Sequence, residues 1–234
     1  MSTSTIQVAV LDMAGTTVSD DGLVVEAFEA AATAAGLPAE GEQRQQARRY
    51  VLDTMGQSKI VVFRALFDSE DLAQRANAAF ESAYETLIAG GRATAIPGAA
   101  EAISRLRDAG VKVAVTTGFS GGTQGKLLAA LGWQTLADLA LAPGDGVRSR
   151  PYPDLVLTAL MRLGADGVGN VAVLGDTTSD VESALRAGAA IAAGTLTGAH
   201  DADLLRGAGA THIVNDPSEF ADLVLGTGEH ERQS

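Results

Sequence analysis

The chain has 234 residues, 46% of them hydrophobic, and no cysteine. That length buries one large domain, or a domain carrying an insertion, and the missing cysteines exclude disulfides, thiolate nucleophiles and cysteine metal sites. With 29 acidic against 17 basic residues the net charge is −12, which argues against a nucleic-acid-binding face but allows a small anionic substrate in a locally positive site.

The first residues carry no basic segment followed by an apolar one, so no signal peptide is expected. No apolar run approaches the roughly 18 residues of a membrane helix. A cytoplasmic protein with no membrane partner is expected. The first β-like run, 6–11, ends on Asp12. Residues 19–95 then read as about four helices, "EAFEAAATAAG", "EQRQQARRYVLDTMG", "KIVVFRALF" and "DLAQRANAAFESAYETLIAG", with Gly36, Gly56 and the Gly90–Gly91 pair as stops. No strand of a parallel sheet appears in that span, so it reads as an inserted helical cap.

Beyond it the pattern alternates. A helix over 99–109 stops at Gly110, and a strand over 111–115 runs into Thr116, Thr117 and Gly118. Helices over 122–131 and 153–163 precede a strand over 170–174 that ends in Gly175 and Asp176. A helix over 180–187 and a weaker, alanine-rich strand over 189–193 follow, and the tail 226–234 is polar and expected to fray. Alternation of strands and helices implies an α/β fold, a parallel sheet covered on both faces. In such sheets ligands bind beyond the carboxyl ends of the strands. Asp12, Thr117 and Asp176 all fall there.

Several motifs fail on inspection. "GFSGGTQGK" lacks the phosphate-loop spacing, because Ser120 stands where the first glycine belongs and Leu127 follows Lys126. "GVGNVAVLG" precedes its strand, the reverse of a dinucleotide fingerprint. His200, His212 and His230 have no metal-ligand spacing, and Ser120 lacks a nucleophile-elbow setting.

What survives is Asp12, Thr117, Arg150 and Asp176. A carboxylate at a strand end can attack phosphorus and form an aspartyl phosphate. Both partners are anionic, so a hard cation such as Mg²⁺, held by Asp12 and Asp176, suits the oxygen donors. The Thr117 hydroxyl and the Gly118 amide offer donors to phosphoryl oxygens, and Arg150 adds fixed positive charge. "GDTTSD" also reads as a helix start, with Thr178 or Ser179 as the cap.

In this order the motifs "LDMAGTT", "VAVTTG", "SRPYPD" and "LGDTTSD" resemble the four motifs of the haloacid dehalogenase superfamily. The resemblance covers almost the whole chain. It implies a Rossmann-like three-layer core, residues 1–18 plus 96–234, with a helical cap of the C1 type over 19–95. It also implies that the Ala14 carbonyl joins Asp12 and Asp176 around Mg²⁺, with Asp180 supporting the metal or Arg150. Two departures sharpen the likeness: Ala14 replaces the superfamily's usual acid–base aspartate, and Arg150 its usual lysine. Both resemble phosphonoacetaldehyde hydrolase (phosphonatase) and its phosphonatase-like relatives. That family's cap lysine, three residues after a Met-Gly pair, is matched by Met55, Gly56 and Lys59 in "MGQSK". Only three lysines occur in the chain, so lysine is not its default surface charge.

The resemblance implies a Mg²⁺-dependent hydrolase cleaving the C–P bond of a small phosphonoaldehyde. Asp12 would be the nucleophile and Lys59 the imine-forming amine. Met55, Gly56 and Phe119 would shape the pocket, and Thr117, Gly118 and Arg150 would hold the phosphoryl group. The chain departs from the family at Val62, where a histidine is usual, and at Phe119, where a tyrosine is usual. The alternative is a phosphate-monoester phosphatase of the same superfamily without imine chemistry. The family also implies a homodimer paired through the cap.

Overall fold

A computed structural model describes residues 6–226. The first strand, β1 (Val8–Asp12), is buried along its whole length. A short ribbon strand, β2 (Val18–Ser19), leads into four helices: α1 (Leu23–Ala34), α2 (Glu42–Asp53), α3 (Lys59–Leu66) and α4 (Glu70–Ala89). The chain returns through β3 (Thr94–Ala95), which pairs antiparallel with β2. It continues as α5 (Ala99–Asp108), β4 (Lys112–Thr116), α6 (Gly121–Ala130), β5 (Leu139–Leu141) and α7 (Asp154–Leu163). The last elements are β6 (Val171–Gly175), α8 (Thr178–Ala187), β7 (Ile191–Thr195), α9 (Ala202–Gly207), β8 (His212–Val214) and α10 (Pro217–Leu225).

Six parallel strands form the main sheet in the order β5-β4-β1-β6-β7-β8. Alternate side chains of a strand point to opposite faces, and both faces here are covered. Val8 and Val10 pack with Leu155, Val156 and Ala184 of α7 and α8. Ala9 and Leu11 join the larger core under Ile103, Leu106, Leu127 and Phe220 of α5, α6 and α10. That double burial explains the near-continuous apolar runs of β1 and β6. The arrangement is a three-layer α/β fold with a helical insert after the first strand.

Chain order reverses beside β1: β4 lies on one flank and β6, the later strand, on the other. Such a switch point opens a crevice at the strands' carboxyl ends. The register sets Asp12 opposite Thr116 and Leu11 opposite Leu174. Asp12, Thr117 and Asp176 therefore emerge side by side.

The insert folds around its own aromatic core. Phe28 stacks on Phe63 at 6.5 Å between centroids, Phe63 meets Phe80 at 6.0 Å, and Phe80 meets Tyr84 at 5.9 Å. The ladder then crosses to the loop after β4, where Phe119 lies 6.2 Å from Phe80 and 4.5 Å from Tyr84. Each such ring buries enough apolar surface to stabilise by about 1.5–3 kcal/mol, so the ladder holds α4 down onto the β4 end of the sheet.

Two expectations need correcting. The strand expected over 6–11 and ending on Asp12 is Val8–Asp12, so it starts later than expected and takes in Asp12, which the sheet ladder holds. Helix α8 starts earlier than expected, and its cap is neither Thr178 nor Ser179. Thr177 caps it, its side chain accepting from the Asp180 amide while the Asp180 carboxylate accepts from the Thr177 amide. The reciprocal arrangement satisfies two amides that a later cap would leave free. The expected frayed tail and His230 fall largely beyond the described residues.

Candidate active site

Asp12 is buried at the end of β1, and its Oδ1 lies 2.7 Å from Nη2 of Arg150. The other guanidinium nitrogen, Nη1, donates to Oδ1 of Asp180. Asp180 is itself locked, since its Oδ2 accepts from the Thr177 amide at 3.1 Å and from the Thr177 hydroxyl. The capping box of α8 thus aims Asp180 at Arg150, and Arg150 at Asp12. Gly175 makes room for this: a Cβ there would sit 2.2 Å from that of Asp180. Burial works against the guanidinium's charge, but Asp12 and Asp180 outweigh it and push its pKa upward.

Asp176 follows β6. Its Oδ1 accepts from the Thr16 hydroxyl at 3.0 Å and its Oδ2 from the Ala199 amide at 2.8 Å. Gly15, at φ +83°, and Gly198 leave space for it, because a Cβ on either would come within 2.3 Å of Oδ2. Burial pushes the Asp12 carboxyl upward against the pull of Arg150, with repulsion from Asp180 adding to the rise, and burial with repulsion from Asp12 and Asp180 pushes that of Asp176 upward.

Oxygens of Asp12, Asp176 and Asp180 lie within 4.8 Å of one another. Three buried carboxylates face a single guanidinium, which is an excess of negative charge that a hard divalent cation would neutralise. Ala14 lines the same cavity as Asp12 and Asp176, where its carbonyl would add a donor. Among the described residues it accepts no hydrogen bond, whereas the Met13 carbonyl accepts from the amides of Thr16, Thr17 and Val18. The donor set is all oxygen and fits Mg²⁺ better than a softer metal.

Across the crevice, the turn between α2 and α3 brings the insert onto the core. Gly56 has φ +82°, and a Cβ on it would sit 2.5 Å from Oγ1 of Thr177. Gly118 meets the same turn from below, its virtual Cβ 2.6 Å from the Gln57 carbonyl oxygen. Bare backbone meets bare backbone, so the turn closes down directly over the strand ends. Gly118→Ala is expected to prop it open, lowering kcat/KM by about 10²-fold, the scale of a misplacement near 1 Å. Steady-state kinetics check this, and the melting temperature should fall as well, because the added methyl meets backbone rather than a side chain that could swing away.

Lys59, the first residue of α3, is only 7% exposed. Its Nζ lies 5.7 Å from the centroid of Phe80 and 5.9 Å from that of Phe119. Among the described residues no carboxylate comes within ion-pair distance of it. Burial lowers its pKa to about 8; Asp20, Asp12 and Asp176 pull the other way, and Arg150 adds to the fall.

Asp12, Ala14, Met55, Gly56, Lys59, Thr117, Gly118, Phe119 and Asp176 all line one cavity between insert and core. Arg150 and Asp180 stand behind Asp12. Thr117 Oγ1 accepts from the Phe119 amide at 3.1 Å, leaving its proton free to donate. Val62 points into the helical core and takes no part.

Sequence reasoning missed three neighbours. Thr16 sits in the first motif, and its hydroxyl is the clue to its bond with Asp176. Asp20, just after β2, accepts from the Val24 amide in the first turn of α1 at 3.2 Å and also acts on the Lys59 charge. Tyr84 is buried on α4 beside Phe119. Nothing in the local sequence of the last two signals the crevice, since folding of the insert brings them there.

A parallel sheet with a switch-point carboxylate, a buried guanidinium and a carboxylate cluster able to hold a hard cation suits a hydrolase that acts on phosphoryl groups. Residues 6–188 match the haloacid dehalogenase-like hydrolase family, and the chain belongs to it. The chain is 30% identical over 214 residues to a probable phosphatase, IndB, of Dickeya dadantii, covering 90% of each. It is 33% identical over 99 residues to phosphonoacetaldehyde hydrolase of Bacillus cereus, a match spanning 41% of this chain and 37% of that one. A hydrolase from Pseudomonas syringae superposes with a TM-score of 0.81 at 25% identity, covering 94% of this chain and 98% of the other.

Proposed function

We propose that this hydrolase cleaves the C–P bond of a small phosphonoaldehyde, phosphonoacetaldehyde or a hydroxylated analogue, through an imine on Lys59 and a phosphoryl group carried on Asp12. The observation that carries the reading is the burial of Lys59, without an ion-pair partner, in the cavity that contains Asp12. A lysine serving only to bind phosphate would stay charged. This one is held near the range where its amine is nucleophilic.

C–P cleavage by itself would expel a carbanion. In the proposed sequence the neutral Lys59 amine adds to the aldehyde carbon, water leaves, and an iminium forms. A carboxylate oxygen of Asp12 then bonds to phosphorus, and the C–P electron pair moves into the iminium, leaving an enamine. Protonation and hydrolysis of the enamine return Lys59 and release the aldehyde without its phosphorus. Water then hydrolyses the aspartyl phosphate. No alkoxide departs in the cleavage step, so Ala14 is no loss there.

Arg150, whose Nε carries no hydrogen bond, together with the Thr117 hydroxyl and the Gly118 amide, would grip the phosphoryl oxygens. Asp12, Asp176 and the Ala14 carbonyl would hold Mg²⁺, with Asp180 fixing Arg150. The ion supplies charge neutralisation between two anionic reactants.

The near full-length likeness to a probable phosphatase favours a second reading, hydrolysis of a phosphate monoester with Lys59 only binding substrate. Ala14 counts against it, because an alkoxide leaving group wants a proton. Incubation with Mg²⁺ and phosphonoacetaldehyde, alongside a panel of monoesters, separates the two. The first reading expects equal release of acetaldehyde and phosphate. Phosphate release from monoesters alone would leave only the second.

A further inference from the structure

We propose that the Tyr84 hydroxyl is a specificity-determining donor that recognises a carbonyl oxygen on the part of the substrate that leaves phosphorus. This rests on the cavity being the site of phosphoryl chemistry, as argued above.

Tyr84 is fully buried, yet its hydroxyl has no hydrogen-bond partner. A buried, unpaired hydroxyl destabilises by about 1–3 kcal/mol, and each such case calls for a reason. Phenylalanine would fill the same space at the same stacking distances, so packing alone does not explain the oxygen. Tyr84 packs against the two ladder rings nearest Lys59, Phe80 and Phe119. Tyr84 lies 4.5 Å from Phe119 and 5.9 Å from Phe80 between centroids. Phe80 and Phe119 are the rings that flank Lys59 Nζ. Tyr84 thus packs against both rings that flank the Lys59 amine, and in this proposal its hydroxyl meets the end of the substrate that Lys59 engages.

The surroundings also choose the acceptor. Burial and the carboxylates of Asp20 and Asp12 push the phenol's pKa upward, so it stays protonated and donates. The same two carboxylates repel an anionic acceptor. A neutral oxygen with free lone pairs, such as an aldehyde or ketone carbonyl, meets both conditions. A carboxylate on the departing fragment does not.

The test compares wild type and Tyr84→Phe with glycolaldehyde phosphate and ethyl phosphate, which differ in the carbonyl oxygen, alongside phosphonoacetaldehyde. The variant is expected to lower the preference for glycolaldehyde phosphate over ethyl phosphate, measured as a ratio of kcat/KM, by about tenfold. Its melting temperature should not fall, because no bond within the protein is lost. An unchanged ratio would overturn the proposal whatever the melting temperature does. A wild type that hydrolyses the monoesters but not phosphonoacetaldehyde removes the imine reading and leaves the Tyr84 comparison intact; for a wild type that cleaves phosphonoacetaldehyde alone, the same ratio is read from the inhibition constants of the two monoesters against that reaction, and an unchanged ratio there overturns the proposal equally. A wild type inactive on all three overturns both.

Discussion

Lys59→Arg is expected to abolish C–P cleavage, by about 10³-fold or more, while the chain stays folded. A guanidinium keeps the positive charge but cannot form the imine, so the substitution separates nucleophile from counter-charge. The pH dependence follows from the same residue. The reactive amine is the neutral one, so kcat/KM of the wild type should rise with pH through about 8, far below the ordinary lysine value of 10.5. A steady-state profile from pH 6 to 10 reads this directly.

The same burial has a consequence for stability. The native amine loses its proton near pH 8, whereas the unfolded chain keeps it until about 10.5. Between those values the unfolded state binds more protons, so native stability rises with pH across that window. Below pH 8 the full penalty stands, at most about 3 kcal/mol at 1.36 kcal/mol per unit. Lys59→Met should therefore stabilise the protein at pH 7 by roughly 1–3 kcal/mol while inactivating it, and the gain should shrink by pH 10.5. Denaturant unfolding at the two pH values checks both signs. A lysine kept for structure would show the opposite.

Asp12→Asn carries the second large effect. The amide cannot accept the phosphoryl group, so turnover of every substrate, phosphonate or ester, should fall by about 10⁴-fold or more. The change keeps the size of the side chain and its place in the sheet register opposite Thr116. Phosphate release and the melting temperature together distinguish loss of the nucleophile from loss of the fold. The contrast with Lys59 matters: Lys59→Arg should spare any monoester hydrolysis, and Asp12→Asn should not.

Much of this was legible in the sequence because the motif residues sit where strands stop. A buried parallel strand has to be a compact apolar run, so 6–11, 111–115 and 170–174, with the small and polar residues that follow each, announce both the sheet and its reactive edge. The short strands β5 (Leu139–Leu141) and β8 (His212–Val214) were not legible. Three residues show no periodicity, and their place is set by the neighbours that pair with them. The crevice's far wall was legible only in part. Met55, Gly56 and Lys59 were found through a family motif, but Asp20 and Tyr84 arrive by packing of the insert. Tyr84 lies 25 positions after Lys59 on another helix, and only folding sets both against the same two rings, Phe80 and Phe119.

Alanine at position 14 and lysine at position 59 are linked in this account. The first removes an acid that an oxygen leaving group needs, and the second supplies an electron sink that makes that acid dispensable for a carbon leaving group. The direct measurement is trapping. The protein is incubated with Mg²⁺ and phosphonoacetaldehyde, reduced with borohydride, digested and mapped by mass spectrometry. A two-carbon adduct on Lys59 is expected, absent from Lys59→Arg and from samples reduced without substrate. Full cleavage activity with no adduct on Lys59, or undiminished activity in Lys59→Arg, would contradict it.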